Sequence, residues 1–114
     1  MSVAIETRQV DSIVVMEVEG QVTLGEATGR LREAIRTLVE GGNNRIILNL
    51  TKVNYMDSAG LGELVGAYTS VKRQGGDMKL VGVSGRALDL LQVTKLSTLF
   101  ESFADEESAR RSFV

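Results

Sequence analysis

The chain has 114 residues, 43% apolar and 25% charged, with 13 Lys and Arg against 15 Asp and Glu for a net charge of -2. These values bound it to one globular domain spanning residues 1–114, large enough for a single core. The absence of Cys and His removes disulfides, thiol nucleophiles, thiolate and imidazole metal sites and the commonest general base, so no catalytic role, metal or cofactor is expected.

The nearly balanced charge has no basic stripe, and aromatic residues are only 4%, which argues against nucleic-acid binding through phosphates or stacked bases. No apolar run reaches the roughly 18 residues of a membrane span, and no basic-then-apolar leader is present, so membrane insertion and secretion are not expected. The cytoplasm is the expected location.

In chain order, Val3 to Arg8 alternates like a half-exposed strand, and Gln9 to Asp11 is a polar break. Ser12 to Glu19 carries Ile13, Val14, Val15, Met16 and Val18, the pattern of a buried strand; the short connection predicts an antiparallel first pair. Thr23-Leu24-Gly25-Glu26 reads as a capping box with Thr23 as N-cap. Ala27, Leu31, Ala34, Ile35, Leu38 and Val39 then share one helical face, and Gly41-Gly42 ends that helix.

Arg45 to Leu50 predicts a third strand, followed by a connection over Thr51 to Ser58. Leu61, Leu64, Val65, Tyr68 and Val71 form the apolar face of a second helix, closed by Lys72, Arg73 and Gly75-Gly76. Met78 to Val83 reads as a fourth strand, Ser84 as the cap of a third helix, Leu99 to Phe103 as a short edge strand, and Asp105 to about Arg111 as a polar last helix. The fold class is therefore α/β. A small mixed sheet of four to five strands, mostly parallel with an antiparallel first strand, packs with about four helices. The loops leaving the C-terminal ends of parallel strands gather on one rim, where ligands and partners bind, and this places Thr23 and Ser58 side by side.

The run Asn54-Tyr55-Met56-Asp57-Ser58-Ala59-Gly60-Leu61-Gly62 is the most informative segment. Asp57 or Ser58 suits a helix N-cap, which alone would account for both. The glycines are harder to explain, because each interior Gly costs a helix about 1 kcal/mol against Ala. Ala59, Gly62 and Gly66 fall on one face, compatible with close helix packing or with the close approach of a partner. Gly60-x-Gly62-x-x-x-Gly66 is not a nucleotide loop, because it lies inside a helical pattern well beyond the strand.

Tyr55-Met56-Asp57-Ser58-Ala59-Gly60-Leu61-Gly62 resembles the D-S-[SA]-G-L-G signature of STAS-domain anti-sigma factor antagonists. The resemblance spans nearly the whole chain: Gly20 after strand two, Arg45 to Leu50 in the central strand, Gly75 to Leu80 at strand four, and Val83-Ser84 with Leu96 to Phe100 near the end. It implies that Ser58 is a phosphoacceptor for a serine kinase that is itself the anti-sigma factor. It further implies that the unphosphorylated protein binds this kinase and releases a sigma factor, and that a PP2C-type phosphatase restores the binding form. ATP and magnesium would belong to the kinase. The implied partner surface comprises Gln21, Thr23, Asp57, Ala59, Gly60, Gly62, Glu63 and Gly66.

Three positions depart from the family pattern: Gln21 and Thr23 stand where acidic residues are common, and Ala59 replaces a frequent second serine. The alternative is a non-catalytic STAS scaffold subunit of a sensory or membrane-transport assembly, working without phosphorylation. Glu63 is expected on the solvent side. A phosphate on Ser58 adds about -1.5 to -2 charges at pH 7. The helix N-terminus favours it by roughly 0.3–1 kcal/mol, whereas Asp57 at about 5 Å opposes it by roughly 3 kcal/mol. No fold change is expected, and the effect should be felt at the partner surface.

Overall fold

The computed structural model describes residues 3–113. Strands β1 (Val3–Val10) and β2 (Ile13–Val22) form an antiparallel hairpin whose two-residue turn places Asp11 at φ 56°. Helix α1 (Glu26–Glu40) leads to β3 (Arg45–Met56), α2 (Ser58–Arg73) to β4 (Asp77–Val81), and α3 (Gly85–Val93) through a 3-10 turn to β5 (Ser102–Phe103) and α4 (Glu106–Arg111). The strands lie in the order β1-β2-β3-β4-β5, with every pair after the first parallel. The expected mixed sheet with an antiparallel first strand is the one observed.

Period-two alternation sorts the strands' side chains onto two faces. Ile46, Leu48 and Leu50 of β3 join Met16, Val18, Met78 and Leu80 under Leu31, Ile35, Leu61, Leu64, Val71 and Leu91 from the first three helices. On the opposite face Ile13, Val15, Ile47 and Val81 meet Ala109 of α4, flanked by Phe103 and Phe113. The polar groups buried there are partnered, as burial demands. Asn49 donates to Glu106 at 2.6 Å, and Glu106 also accepts from Arg8. The Lys79 ammonium, in a residue only 4% exposed, lies 2.9 Å from the Glu101 carboxylate, donates to the Ser112 carbonyl and sits 4.7 Å over the Phe113 ring. Among the described residues no helix is long and apolar enough to cross a membrane.

The structure corrects several expected boundaries: β1 runs on to Val10 rather than stopping at Arg8, and the last strand covers Ser102–Phe103 rather than Leu99 to Phe103. Strand β2 continues to Val22 and β3 to Met56. Their registers pair Glu19 with Lys52, Gly20 with Val53, Gln21 with Tyr55 and Val22 with Met56 across two irregularities. Gln21 is thus a strand residue, and Thr51 to Met56 is strand rather than connection. Strand β4 stops at Val81, where Gly82 turns the chain at φ 72°. Thr23 is not an N-cap: Gly25 is, with its N–H donating to Thr28 Oγ1 at 3.2 Å and the Thr28 hydroxyl donating to its carbonyl at 3.1 Å. Because β2 runs to Val22, the helix cannot begin until the chain has left the sheet, two residues after Thr23.

Candidate functional site

The longest parts of β2 and β3 end together, and this brings the β2–α1 connection against the start of α2. Asp57 is the N-cap of α2, in extended backbone conformation. One carboxylate oxygen accepts the Gly60 N–H at 2.8 Å and the other accepts the Leu24 N–H at 3.0 Å. The Asp57 N–H in turn donates to the Val22 carbonyl at 3.3 Å. Asp57 thus caps one helix and ties down the approach to another. The Leu24 and Gly60 N–H groups hold its carboxyl below the usual range, against a smaller opposing effect of burial.

Ser58 is the first helical residue and is exposed. None of the hydrogen bonds at this rim uses its hydroxyl. The capping is done by Asp57, so the serine is not needed for it. The expected proximity of Thr23 and Ser58 is observed through their neighbours, since Leu24 and Asp57 are directly bonded. Thr23 is half-buried, as is Gln21, which lies opposite Tyr55.

The four small residues of the signature helix divide into two groups. Gly60 is buried, and a Cβ there would lie 2.2 Å from the Val22 carbonyl oxygen and 2.9 Å from Met56 Cγ. It is required by the close approach of α2 to β2 and offers no surface to a partner. Gly62 and Gly66 are exposed, with nothing within 4 Å of an added Cβ, and Ala59 is half-buried beside them. The two exposed glycines line a groove of about 490 Å³ between α1 and α2, together with Ile35, Val39 and Ser70.

Glu63 is less free than its position in the sequence implied. Its side chain is 19% exposed and meets the Arg32 guanidinium of α1 side-on, with contacts of 2.5 and 3.2 Å. Both residues of the pair line the groove. Leu24, 79% exposed, is a residue the sequence reading missed. Its signal was an apolar side chain inside the polar Thr23–Glu26 segment, read there only as capping.

A family model of the STAS domain matches residues 4–109. The chain is 34% identical over 107 residues to the anti-sigma-B factor antagonist of Bacillus subtilis, covering 94% of this chain and 96% of that one. It is 33% identical to the protein of the same name from Listeria monocytogenes, over 89% of this chain and 87% of the other. Among solved structures, an anti-sigma factor antagonist from Mycobacterium paratuberculosis superposes with a TM-score of 0.85 at 20% identity, covering 98% and 94% of the two chains. The phosphorylated form of the Bacillus cell fate determinant SpoIIAA superposes with a TM-score of 0.75 at 24% identity, covering 96% and 99%. These two structures share the fold. With a family model over nearly its whole length and relatives above 30% identity, the chain belongs to the STAS domain family.

Proposed function

We propose that this protein is an anti-sigma factor antagonist without catalytic activity of its own, acting in the cytoplasm, whose binding to an anti-sigma factor serine kinase is switched off by phosphorylation of Ser58. The observation that carries the proposal is the division of labour at the start of α2. Asp57 performs the capping, so the adjacent Ser58 stands exposed at a helix N-terminus, its hydroxyl without a hydrogen bond among the described residues. The names of the two bacterial relatives support the role, and a structural neighbour known in a phosphorylated form supports the switch.

The kinase would dock on the rim formed by Gln21, Thr23 and Leu24 and on the glycine side of α2, with Gly62 and Gly66 leaving room for its side chains. Ser58 Oγ attacks the γ-phosphorus of the kinase-bound ATP, ADP leaves, and the hydroxyl proton passes to a base on the kinase. Asp57 is poorly placed to be that base, since both its oxygens accept backbone N–H groups. The same N–H groups keep Asp57 ionised and fixed, so it and the new phosphate present a concentrated negative patch to the partner. A PP2C-type phosphatase would return the serine. Gln21 and Thr23, where acidic residues are common in the family, then tune which kinase is recognised.

The test is incubation with the cognate serine kinase and ATP, followed by intact-mass measurement. A gain of about 80 Da, absent in Ser58→Ala, is expected for one phosphate. A gain retained in Ser58→Ala, or no gain in the wild type, overturns the assignment.

A further inference from the structure

Strand β1 is an edge of the sheet, with one side paired to β2 and the other without a strand partner among the described residues. Val10 and Ile13 flank a two-residue turn and are therefore a pair that exchanges backbone hydrogen bonds. Alternation then directs the N–H and C=O groups of Ala4, Glu6, Arg8 and Val10 toward β2, and those of Ile5, Thr7 and Gln9 outward. Arg30 fits this phase, since it donates at 2.5 Å to the carbonyl of Val3, which also points outward.

The side chains along this edge carry two charges of opposite sign, Glu6 and Arg8. Glu6 lies directly opposite Glu17, a like-charge arrangement that disfavours pairing. Glu17 takes Lys52 at 3.3 Å, but among the described residues Glu6 makes no ion pair. Arg8 contacts Glu106 yet remains 51% exposed. On the helix side of the same edge, Ile5, Thr7, Arg30, Ala34, Thr37 and Leu38 line a partly apolar groove of about 320 Å³.

We infer that this edge is an interface with a second copy of the chain, joined strand to strand in antiparallel sense with Thr7 on the two-fold axis. In this register Ile5 pairs with the partner's Gln9 and Thr7 with the partner's Thr7, so the outward backbone groups form about six hydrogen bonds. Glu6 stands opposite the partner's Arg8, and Ala4 opposite the partner's Val10, with each relation repeated by symmetry. Opposed residues must share a face of the sheet, so the nearest alternatives are slips of two residues. One of these sets Glu6 against the partner's Glu6; the other sets Arg8 against the partner's Arg8. Charge therefore selects one register. Charged residues commonly block an edge, but here the opposite signs, two positions apart, make it self-complementary. The two helix-side grooves would meet across the axis and cover Ile5, Ala34 and Leu38.

Sedimentation velocity at low salt, from about 1 μM to about 1 mM protein, tests this directly and should show a concentration-dependent monomer–dimer equilibrium. Thr7→Pro removes an N–H that β2 does not use, so it should leave the circular dichroism spectrum unchanged and abolish the dimer. Glu6→Arg and Arg8→Glu should each raise the dimer Kd by about tenfold or more, and an equimolar mixture of the two should dimerise again. A wild type that stays monomeric throughout the range overturns the inference, as does a dimer that survives in folded Thr7→Pro. Should Thr7→Pro fail to fold, the mixture decides: no recovery over the single variants overturns it.

Discussion

The Asp57 carboxylate accepts the Leu24 backbone N–H at 3.0 Å, joining the end of β3 to the chain between β2 and α1 across 33 positions of sequence. Its second oxygen caps α2 through Gly60. One side chain therefore sets both the start of the helix that bears Ser58 and the position of the loop beside it. Replacing it with Ala removes a cap and a tertiary bond together. Asp57→Ala is expected to lose about 1–2 kcal/mol of stability, lowering Tm by roughly 5–10 °C in a thermal melt.

The same bond gives a pH dependence whose sign is fixed. The folded-state pKa of Asp57 is depressed by the Leu24 and Gly60 N–H groups. For Glu106, burial pushes the pKa up, but its bonds from Arg8 and Asn49 outweigh this and leave it low. A depressed carboxylate contributes stability that is fully present above its unfolded pKa and lost as pH falls through the folded one. Stability should thus hold from neutrality down to about pH 5 and decline below about pH 4, the range of free carboxylates. Thermal melts of wild type and Asp57→Asn should converge as pH falls; a difference that stays constant down to pH 2 would show that the charge of Asp57 plays no part.

Two glycines of one helix should respond in opposite directions. A Cβ at Gly60 meets the Val22 carbonyl at 2.2 Å, so Gly60→Ala is expected to destabilise by about 2–3 kcal/mol as backbone and side chains shift to relieve the overlap. At Gly66 nothing lies within 4 Å of an added Cβ, so Gly66→Ala should raise stability by about 0.5–1 kcal/mol through helix propensity. Because it also fills the groove, Gly66→Ala should bind the kinase more weakly despite being more stable. Denaturant titration and a binding isotherm separate the two effects.

Leu24 is the exposed apolar residue of the rim. Its side chain contributes little to the core, so Leu24→Ala should change stability by no more than about 0.5 kcal/mol. In the proposed kinase complex, its loss should weaken binding by about tenfold or more. Unchanged affinity would place the docking surface elsewhere.

Much of the architecture was legible because its signals were local. The β-branched run of β2, the periodic face of α1 and the leucine spacing of α2 each belong to one element, and the short hairpin connection set the first pair antiparallel. The far end of β3 was not legible. Thr51 to Met56 is mostly exposed and polar, and it is strand because β2 continues beside it to Val22. The same extension displaced the start of α1 from Thr23 to Gly25. At the candidate site, the signature put Ser58 at the start of a helix, where the structure has it, but spacing could not divide the glycines into buried Gly60 and open Gly62 and Gly66. Nor could it foresee that Arg32, from a different helix, holds Glu63.

Calorimetric titration of the cognate anti-sigma serine kinase with unphosphorylated and Ser58-phosphorylated protein tests the proposed switch most directly. The phosphorylated form should bind about 100- to 1000-fold more weakly, with its fold unchanged by circular dichroism. Equal affinity of the two forms would contradict a switch at Ser58.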